Sequence, residues 1–73
     1  MTHKFREGSE VSWKWGANHA SGKVRQVFTR RVQRTIKGTR VVRRASEDEP
    51  AYLIEQADGG RALKSHSELA AVH

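Results

Sequence analysis

The sequence contains no cysteine, only one proline and no long apolar run. Without cysteine, neither a disulfide nor a cysteine-ligated metal ion can hold a small fold together. No apolar stretch approaches the roughly 20 residues that a membrane-spanning helix needs, and residues 1–8 lack the apolar segment of a secretory signal. We therefore expect a soluble, cytoplasmic protein that has no membrane partner.

Large apolar side chains are also scarce. Hydrophobic residues make up 36% of the 73 residues, and eight of them are alanines, which bury little surface. A chain of this length forms one domain, and we expect it to span residues 1–73 with a core at about 7–69. So small a core leaves little room for a deep pocket, which argues against an enzyme.

Positive charge is concentrated in one part of the chain. Residues 23–44 hold nine Lys or Arg and no Asp or Glu, whereas the rest of the chain has five basic and eight acidic residues. The net charge of +6 therefore arises from a single segment. A surplus of this kind favours an anionic partner, and nucleic acid is the leading hypothesis.

The first half of the chain has the periodicity of strands. From Val11 to Trp15, apolar and polar residues alternate, which predicts a first strand. Residues 16–22, GANHASG, have the composition of a loop. The strand that follows contains Val24 and Val27 three positions apart, so strict alternation fails and a β-bulge or a strong bend is expected.

A β-hairpin is predicted in the basic segment. Lys37 and Gly38 stand between two runs rich in Val, Ile and Thr, and the glycine can adopt the positive φ that a tight turn needs. A two-residue loop implies the cross-strand pairs Ile36 with Thr39, Arg34 with Val41 and Val32 with Arg43.

The last third of the chain begins with an acidic linker, residues 45–50. Two further strands, 51–56 and 61–65, are joined by the turn sequence ADGG. Ser65 and Glu68 then have the spacing of a capping box, which predicts a helical turn or short helix. The resulting count is five or six short strands and almost no helix, the pattern of a small all-β antiparallel barrel with a short C-terminal helical turn.

Three segments carry a resemblance to a known family. GSEVSWKWG, SGKVRQV and SEDEPAYLIEQADGGRALKSHSEL make the chain similar to the hypervirulence-associated Tudor-domain family of small bacterial and fungal proteins, over roughly residues 7–69. The resemblance implies a Tudor-like, SH3-like barrel. It implies little about activity, because function depends on the site that a fold carries.

The basic segment supplies the first candidate site. Arginine outnumbers lysine seven to two there, and its planar donor fork suits phosphate. The alternative is a solvated hairpin that is neutralised by the acidic linker, although three acids cannot neutralise nine bases. The predicted nucleic-acid or anion-binding residues are Arg25, Arg30, Arg31, Arg34, Lys37, Arg40, Arg43 and Arg44, with Lys23 nearby.

The aromatic residues Trp13, Trp15, Phe28 and Tyr52 supply the second candidate. They can form the core of a domain that is short of apolar residues, or a cage for methylated Lys or Arg. A basic domain repels basic tails at long range, so a stacking platform for unpaired bases fits the same rings better.

No residue pattern indicates catalysis, a metal or a cofactor. The four histidines, His3, His19, His66 and His73, lack the spacing of metal ligands, and capping accounts for Ser65 and Glu68. We therefore expect a monomeric, non-catalytic module that binds an anionic macromolecule. A protein-interaction module, or a small protein with no dedicated ligand, is the alternative.

Overall fold

The strands and turns are taken from a computed structural model that describes residues 4–72. Every paired strand in this range is antiparallel, and the only helix is one 3₁₀ turn. The prediction of an all-β fold with a short C-terminal helical turn is confirmed. The elements are β1 (Glu10–Trp15), β2 (Asn18–Phe28), β3 (Val32–Ile36), β4 (Thr39–Arg43), β5 (Ala51–Glu55), β6 (Arg61–Ser65), the 3₁₀ turn (His66–Glu68) and β7 (Ala70–Ala71).

The strands form two sheets of unequal size. Five strands make one sheet in the order β6-β5-β2-β1-β7, and β3 pairs only with β4. The β3–β4 hairpin contacts β6 through side chains rather than through shared backbone hydrogen bonds. It thus completes a barrel-like fold as a separate ribbon laid against the five-stranded sheet.

Two apolar clusters share strand β5. Tyr52 and Ile54 face one cluster and Ala51 faces the other, so the apolar run of β5 reflects burial on both of its faces. The first cluster, the sheet core, consists of Val11, Trp13, Val24, Tyr52 and Ile54. The second, the hairpin core, consists of Val32, Ala51 and Leu63, with Phe28, Ile36, Val41 and Ala45 packed around them.

Strand β2 approaches β5 unusually closely. The pairing register shifts between Val24 and Gln26, which confirms the predicted bulge. Two residues earlier, a Cβ atom on Gly22 would lie 2.6 Å from the Glu55 carbonyl oxygen and 2.7 Å from Cγ2 of Ile54. Only glycine fits there, because the nearest atom belongs to backbone that cannot move aside cheaply.

The prediction that residues 16–22 form a loop is wrong, because most of them belong to β2. The turn contains only Gly16 and Ala17, and β2 begins at Asn18, which pairs with Trp15. Gly16 has a φ of 58°, as the first turn residue of a tight hairpin requires. Strand β1 offers a complete row of backbone partners, and this pairing outweighs the low strand propensity of the polar residues 18–22.

The predicted register of the hairpin is confirmed. Its turn differs in one respect, because Lys37 as well as Gly38 has positive φ, at 51° and 76°. This is the conformation of a type I′ turn, whose first position favours Asn, Asp or Gly. Lysine there carries a steric cost of about 1–2 kcal/mol. The observed pairs include Ile36 with Thr39, Arg34 with Val41 and Val32 with Arg43.

The C-terminal segment adds a strand that the sequence did not reveal. The capping box is present, with the Glu68 carboxylate accepting a hydrogen bond from the Ser65 N–H at 2.8 Å. The 3₁₀ turn then ends, and β7 pairs with Val11 and Ser12 at the outer edge of β1. The free edge of β1 presents backbone N–H and C=O groups without partners, and an extended segment close to it can form hydrogen bonds with them. Within residues 4–72, no helix has the length and apolar character that crossing a membrane requires.

Candidate anion-binding surface and cleft

Six of the predicted anion-binding residues are exposed on or beside the hairpin. Two lie in the connection from β2 to β3, two on the strands, one in the turn and one just after β4. Strand alternation and the tight turn together distribute their charges along the whole ribbon. We call this set the basic surface, and it consists of Arg30, Arg31, Arg34, Lys37, Arg40 and Arg44.

The other two predicted members bind carboxylates of the same chain. Arg25 lies on β2, and its Nη2 is 2.7 Å from Oε1 of Glu55 on the neighbouring strand. Arg43 places Nε 2.8 Å from Oε1 of Glu68, which ties the end of β4 to the 3₁₀ turn. Because both guanidinium groups already have an anionic partner, we leave these two arginines out of the basic surface.

The acidic linker does not neutralise the hairpin. Within the described residues, Glu47, Asp48 and Glu49 form no ion pair, and the carboxylate of Glu49 accepts a hydrogen bond from the Ser67 N–H at 2.6 Å. The six cations of the basic surface likewise take part in none of the ion pairs found in residues 4–72. Their charge is therefore balanced only by solvent ions.

Arg34 is held in a defined orientation. Its Cζ lies 4.8 Å from the centroid of the Phe28 ring, a cation–π contact. Its Nη1 donates a hydrogen bond to the Gln33 carbonyl at 2.8 Å. A guanidinium group has five N–H donors, so Arg34 retains donors for a ligand while Phe28 limits its motion.

Glu68 connects the hairpin to the sheet electrostatically. Its carboxylate accepts hydrogen bonds from Arg43 and from the Ser65 N–H, and Nζ of Lys64 lies 3.8 Å from its Oε2. Burial by itself raises the pKa of Glu68. The hydrogen bonds from Arg43 and Ser65 and the charges of Arg43 and Lys64 outweigh that effect and bring the pKa below its ordinary value.

The four predicted aromatic residues do not converge. Tyr52 is fully buried, and its hydroxyl accepts a hydrogen bond from the Phe5 N–H at 3.2 Å and lies 3.0 Å from Nδ1 of His66. Burial raises the pKa of Tyr52, and the hydrogen bond from Phe5 only partly offsets this. Phe28 belongs to the hairpin core. A cage built from all four rings is therefore not formed.

The two tryptophans line an open cleft of about 410 Å³. Trp13 is only 5% exposed, whereas Trp15, at the end of β1, is 67% exposed. The cleft lies between the paired ends of β1 and β2, the tip of the hairpin and β6, and we call it the Trp cleft. Its charged lining residues are Lys37, Asp58, Arg61 and Lys64.

A family model, described as the hypervirulence associated proteins TUDOR domain, matches residues 8–69. The chain belongs to this family. The resemblance seen in the sequence is confirmed, and the match covers strands β1 to β6 and the 3₁₀ turn. Neither a search of curated proteins nor a search of solved structures gave a match. Membership of a Tudor-like family supports a role as a binding module and leaves the partner to be argued from the site.

Two cations of the Trp cleft were missed in the sequence of this Tudor domain. Arg61 and Lys64 lie outside the basic segment, in a part of the chain where acidic residues are in excess. They reach the cleft because the hairpin packs against β6, which brings Lys37 to the opposite wall. That contact is long-range, and no local pattern in the sequence indicates it.

The histidines are dispersed in the Tudor domain. His19 is exposed on β2, whereas His66 lies against Tyr52. His3 and His73 lie outside the described residues. Among residues 4–72, no three His, Asp or Glu side chains come close enough together to hold a metal ion.

Proposed function

We propose that this Tudor domain is a non-catalytic module that binds nucleic acid through the basic surface. The observation that carries the proposal is the exposed set of six cations, none of which forms an ion pair within residues 4–72. Five of the six are arginines, and the arginine fork matches the geometry of phosphate. An external polyanion would supply the counter-charge that the chain does not provide.

Salt dependence follows directly from this mode of binding. If about four of the cations contact phosphates, the logarithm of affinity falls with the logarithm of salt concentration with a slope of about −3.6 on duplex DNA. Raising NaCl from 50 to 200 mM should then weaken binding by roughly 100-fold. Binding that ignores salt would contradict the proposal.

A charge-matched pair of variants tests where the polyanion binds. Each variant loses three positive charges, so both have the same net charge, but only one alters the basic surface. The test variant carries Arg31→Gln, Arg40→Gln and Arg44→Gln. The control variant carries Lys4→Gln, Arg6→Gln and Lys14→Gln, all of which are exposed and outside the basic segment.

The measurement is fluorescence anisotropy with a labelled 12-nucleotide strand and with the duplex that it forms with its complement. At 50 mM NaCl, the test variant should bind both probes about tenfold more weakly than the unmodified protein, while the control should stay within about threefold. Equal weakening in the two variants would show that affinity follows net charge and that the basic surface has no special role.

A peptide-binding role is the second candidate, and the exposed indole of Trp15 is the observation that favours it. The charges of the Trp cleft disfavour a methylated lysine or arginine, because its lining holds three cations and one carboxylate, that of Asp58. A titration with a trimethyl-lysine peptide separates the two functions. Saturable binding that depends on Trp15 would support the peptide role and count against nucleic acid.

A further inference from the structure

The most exposed large apolar side chain of the described residues, that of Trp15, lines the Trp cleft. The indole of Trp15 is 67% exposed, compared with 39% for Val27 and 40% for Val72. Pairing with Asn18 and the tight turn that follows fix its backbone at the end of β1. An exposed indole on a paired strand beside a cleft has the form of a stacking platform.

The charges around Trp15 favour an anionic ligand. Lys37 lines the cleft from the hairpin tip, and Arg61 and Lys64 line it from β6. The only carboxylate in the lining is that of Asp58, and one of its oxygens already accepts a hydrogen bond from the Gly60 N–H at 2.8 Å. The cleft lining therefore holds three cationic side chains and one carboxylate, together with the flat indole of Trp15.

The backbone at Lys37 provides an independent observation. Its φ of 51° lies in the left-handed region, where Asn, Asp or Gly would be favoured at the first position of a type I′ turn. The chain has a lysine there in spite of the steric cost. Strain of this kind is found at functional sites, where a particular side chain is needed at that point.

From these three features we infer that the Trp cleft holds one unpaired nucleotide of a single strand. The base stacks on the indole of Trp15, and Lys37 and Arg61 bind the adjoining phosphate. The inference rests on the proposed function, nucleic-acid binding, and extends it by specifying that the nucleic acid is single-stranded. The bases of a duplex are stacked on one another, so their faces cannot reach the indole.

The volume of the cleft agrees with this occupant. At about 410 Å³ it lies within the range of 300–1,000 Å³ that is typical of small-molecule sites. Gln56 also lines the cleft and brings an amide that can both donate and accept hydrogen bonds at a base edge. The basic surface extends from Lys37 along the hairpin and offers a path for the phosphates on either side of the bound nucleotide.

The test removes the stacking surface and leaves the basic surface intact. Trp15→Ala deletes the indole and Trp15→Phe keeps an aromatic ring. Val27→Ala removes another exposed apolar side chain, which lies on β2 and does not line the cleft. Each variant is titrated at 50 mM NaCl with the same 12-nucleotide strand and duplex. Circular dichroism confirms the fold, and quenching of tryptophan fluorescence reports stacking.

Trp15→Ala should weaken single-strand binding about 5-fold to 150-fold, which corresponds to roughly 1–3 kcal/mol for one stacked base. Duplex binding should change less than twofold, Trp15→Phe should be intermediate, and Val27→Ala should match the unmodified protein. Arg61→Gln, with Arg6→Gln as its control, should reduce the salt slope for the single strand by about 0.7, the value for one lost phosphate contact.

The outcomes separate this inference from the proposed function. If the unmodified protein binds neither probe, both are overturned. If it binds both probes in a salt-dependent way and Trp15→Ala weakens neither, or weakens both equally, the single-nucleotide site is overturned and the basic surface remains. Loss of single-strand binding alone in Trp15→Ala supports the site.

Discussion

The five-stranded sheet and the β3–β4 hairpin of this Tudor domain are built in different ways. The sheet has fully buried side chains, and the charged Arg25 and Glu55 pair across adjacent strands. The hairpin shares no backbone ladder with the sheet and exposes cations that form no ion pair within residues 4–72. The most deeply buried apolar side chains of the described residues therefore belong to the sheet, while the hairpin displays cations without an ion-pair partner in residues 4–72.

The hairpin is nevertheless fixed in place. Its inner side contributes Val32, Ile36 and Val41 to the hairpin core, and Arg43 binds Glu68 beyond the end of β6. Apolar burial and one ion pair thus offset the mutual repulsion of the cations. This arrangement suits the proposed function, in which a surface held in place by the fold binds a polyanion that balances its charge.

The largest expected effect comes from a matched pair of core substitutions. Val24→Ala removes two methyl groups from the sheet core and should lower the free energy of unfolding by about 2–3 kcal/mol. Val32→Ala makes the same change in the hairpin core and should cost about 1 kcal/mol less, because Val32 is slightly more exposed and its cluster has fewer buried side chains. Urea denaturation measures both. Equal losses would show that hairpin and sheet are one equally rigid unit.

The turn of the hairpin offers the next largest effect. Lys37→Asn places a residue that tolerates positive φ where lysine is strained, and should raise the free energy of unfolding by about 1 kcal/mol. Lys14→Asn, on β1 where φ is negative, is the control and should be neutral or slightly destabilising. The same Lys37→Asn variant should bind the single strand more weakly. A gain in stability without loss of binding would show that Lys37 does not contact the strand.

Local patterns in the sequence predicted the local structure well. The Lys37-Gly38 turn gave the register of the hairpin, and the spacing of Val24 and Val27 gave the bulge, because both depend on residues a few positions apart. The sequence did not predict that residues 18–22 pair with β1 or that β7 pairs with the other edge of β1. In both segments, backbone hydrogen bonds to a neighbouring strand outweigh a weak intrinsic propensity for β-structure.

The sequence predicted the positive charge of the candidate site but not how its side chains are arranged. The composition showed where the basic segment lies, and the alternation of a β-strand indicated that its cations are spread along the hairpin. Composition could not show that Arg25 and Arg43 bind Glu55 and Glu68, since those carboxylates are distant in sequence. Nor could it show that Tyr52 is buried in the sheet core. The cleft beside Trp15 was equally hidden, because it depends on how the hairpin packs against β6.

A smaller effect is expected from the ion pair that joins the two regions. Because the pKa of Glu68 is lowered by folding, its contribution is present above the unfolded pKa and is lost as pH falls through the lower folded value. At pH 7, Glu68→Gln should reduce stability by at most about 1 kcal/mol, since the pair is partly exposed. The difference from the unmodified protein should shrink as pH falls from about 5 to about 3.

A double-mutant cycle identifies the partner of Glu68. Arg43→Gln and Glu68→Gln should each lower the free energy of unfolding, and the double variant should lose less than the sum of the two. Strict additivity would mean that the hairpin is held only by its apolar core. A pH dependence that persists unchanged in Arg43→Gln would assign the effect on Glu68 to Lys64 or to the Ser65 N–H.

The smallest expected effect uses a simple anion in place of the polyanion. Sulfate at a concentration equal to its Kd for the basic surface would stabilise the fold by RT ln 2, about 0.4 kcal/mol, and raise the Tm by about 2–3 °C. Sulfate also stabilises proteins in general, because it is excluded from their surfaces. The informative quantity is therefore the difference between the unmodified protein and the variant with Arg31→Gln, Arg40→Gln and Arg44→Gln, each compared with NaCl at equal ionic strength. A larger shift in the unmodified protein would show that the hairpin cations repel one another and accept an external anion, whereas identical shifts would mean that their repulsion is too weak to distinguish the hairpin from the sheet.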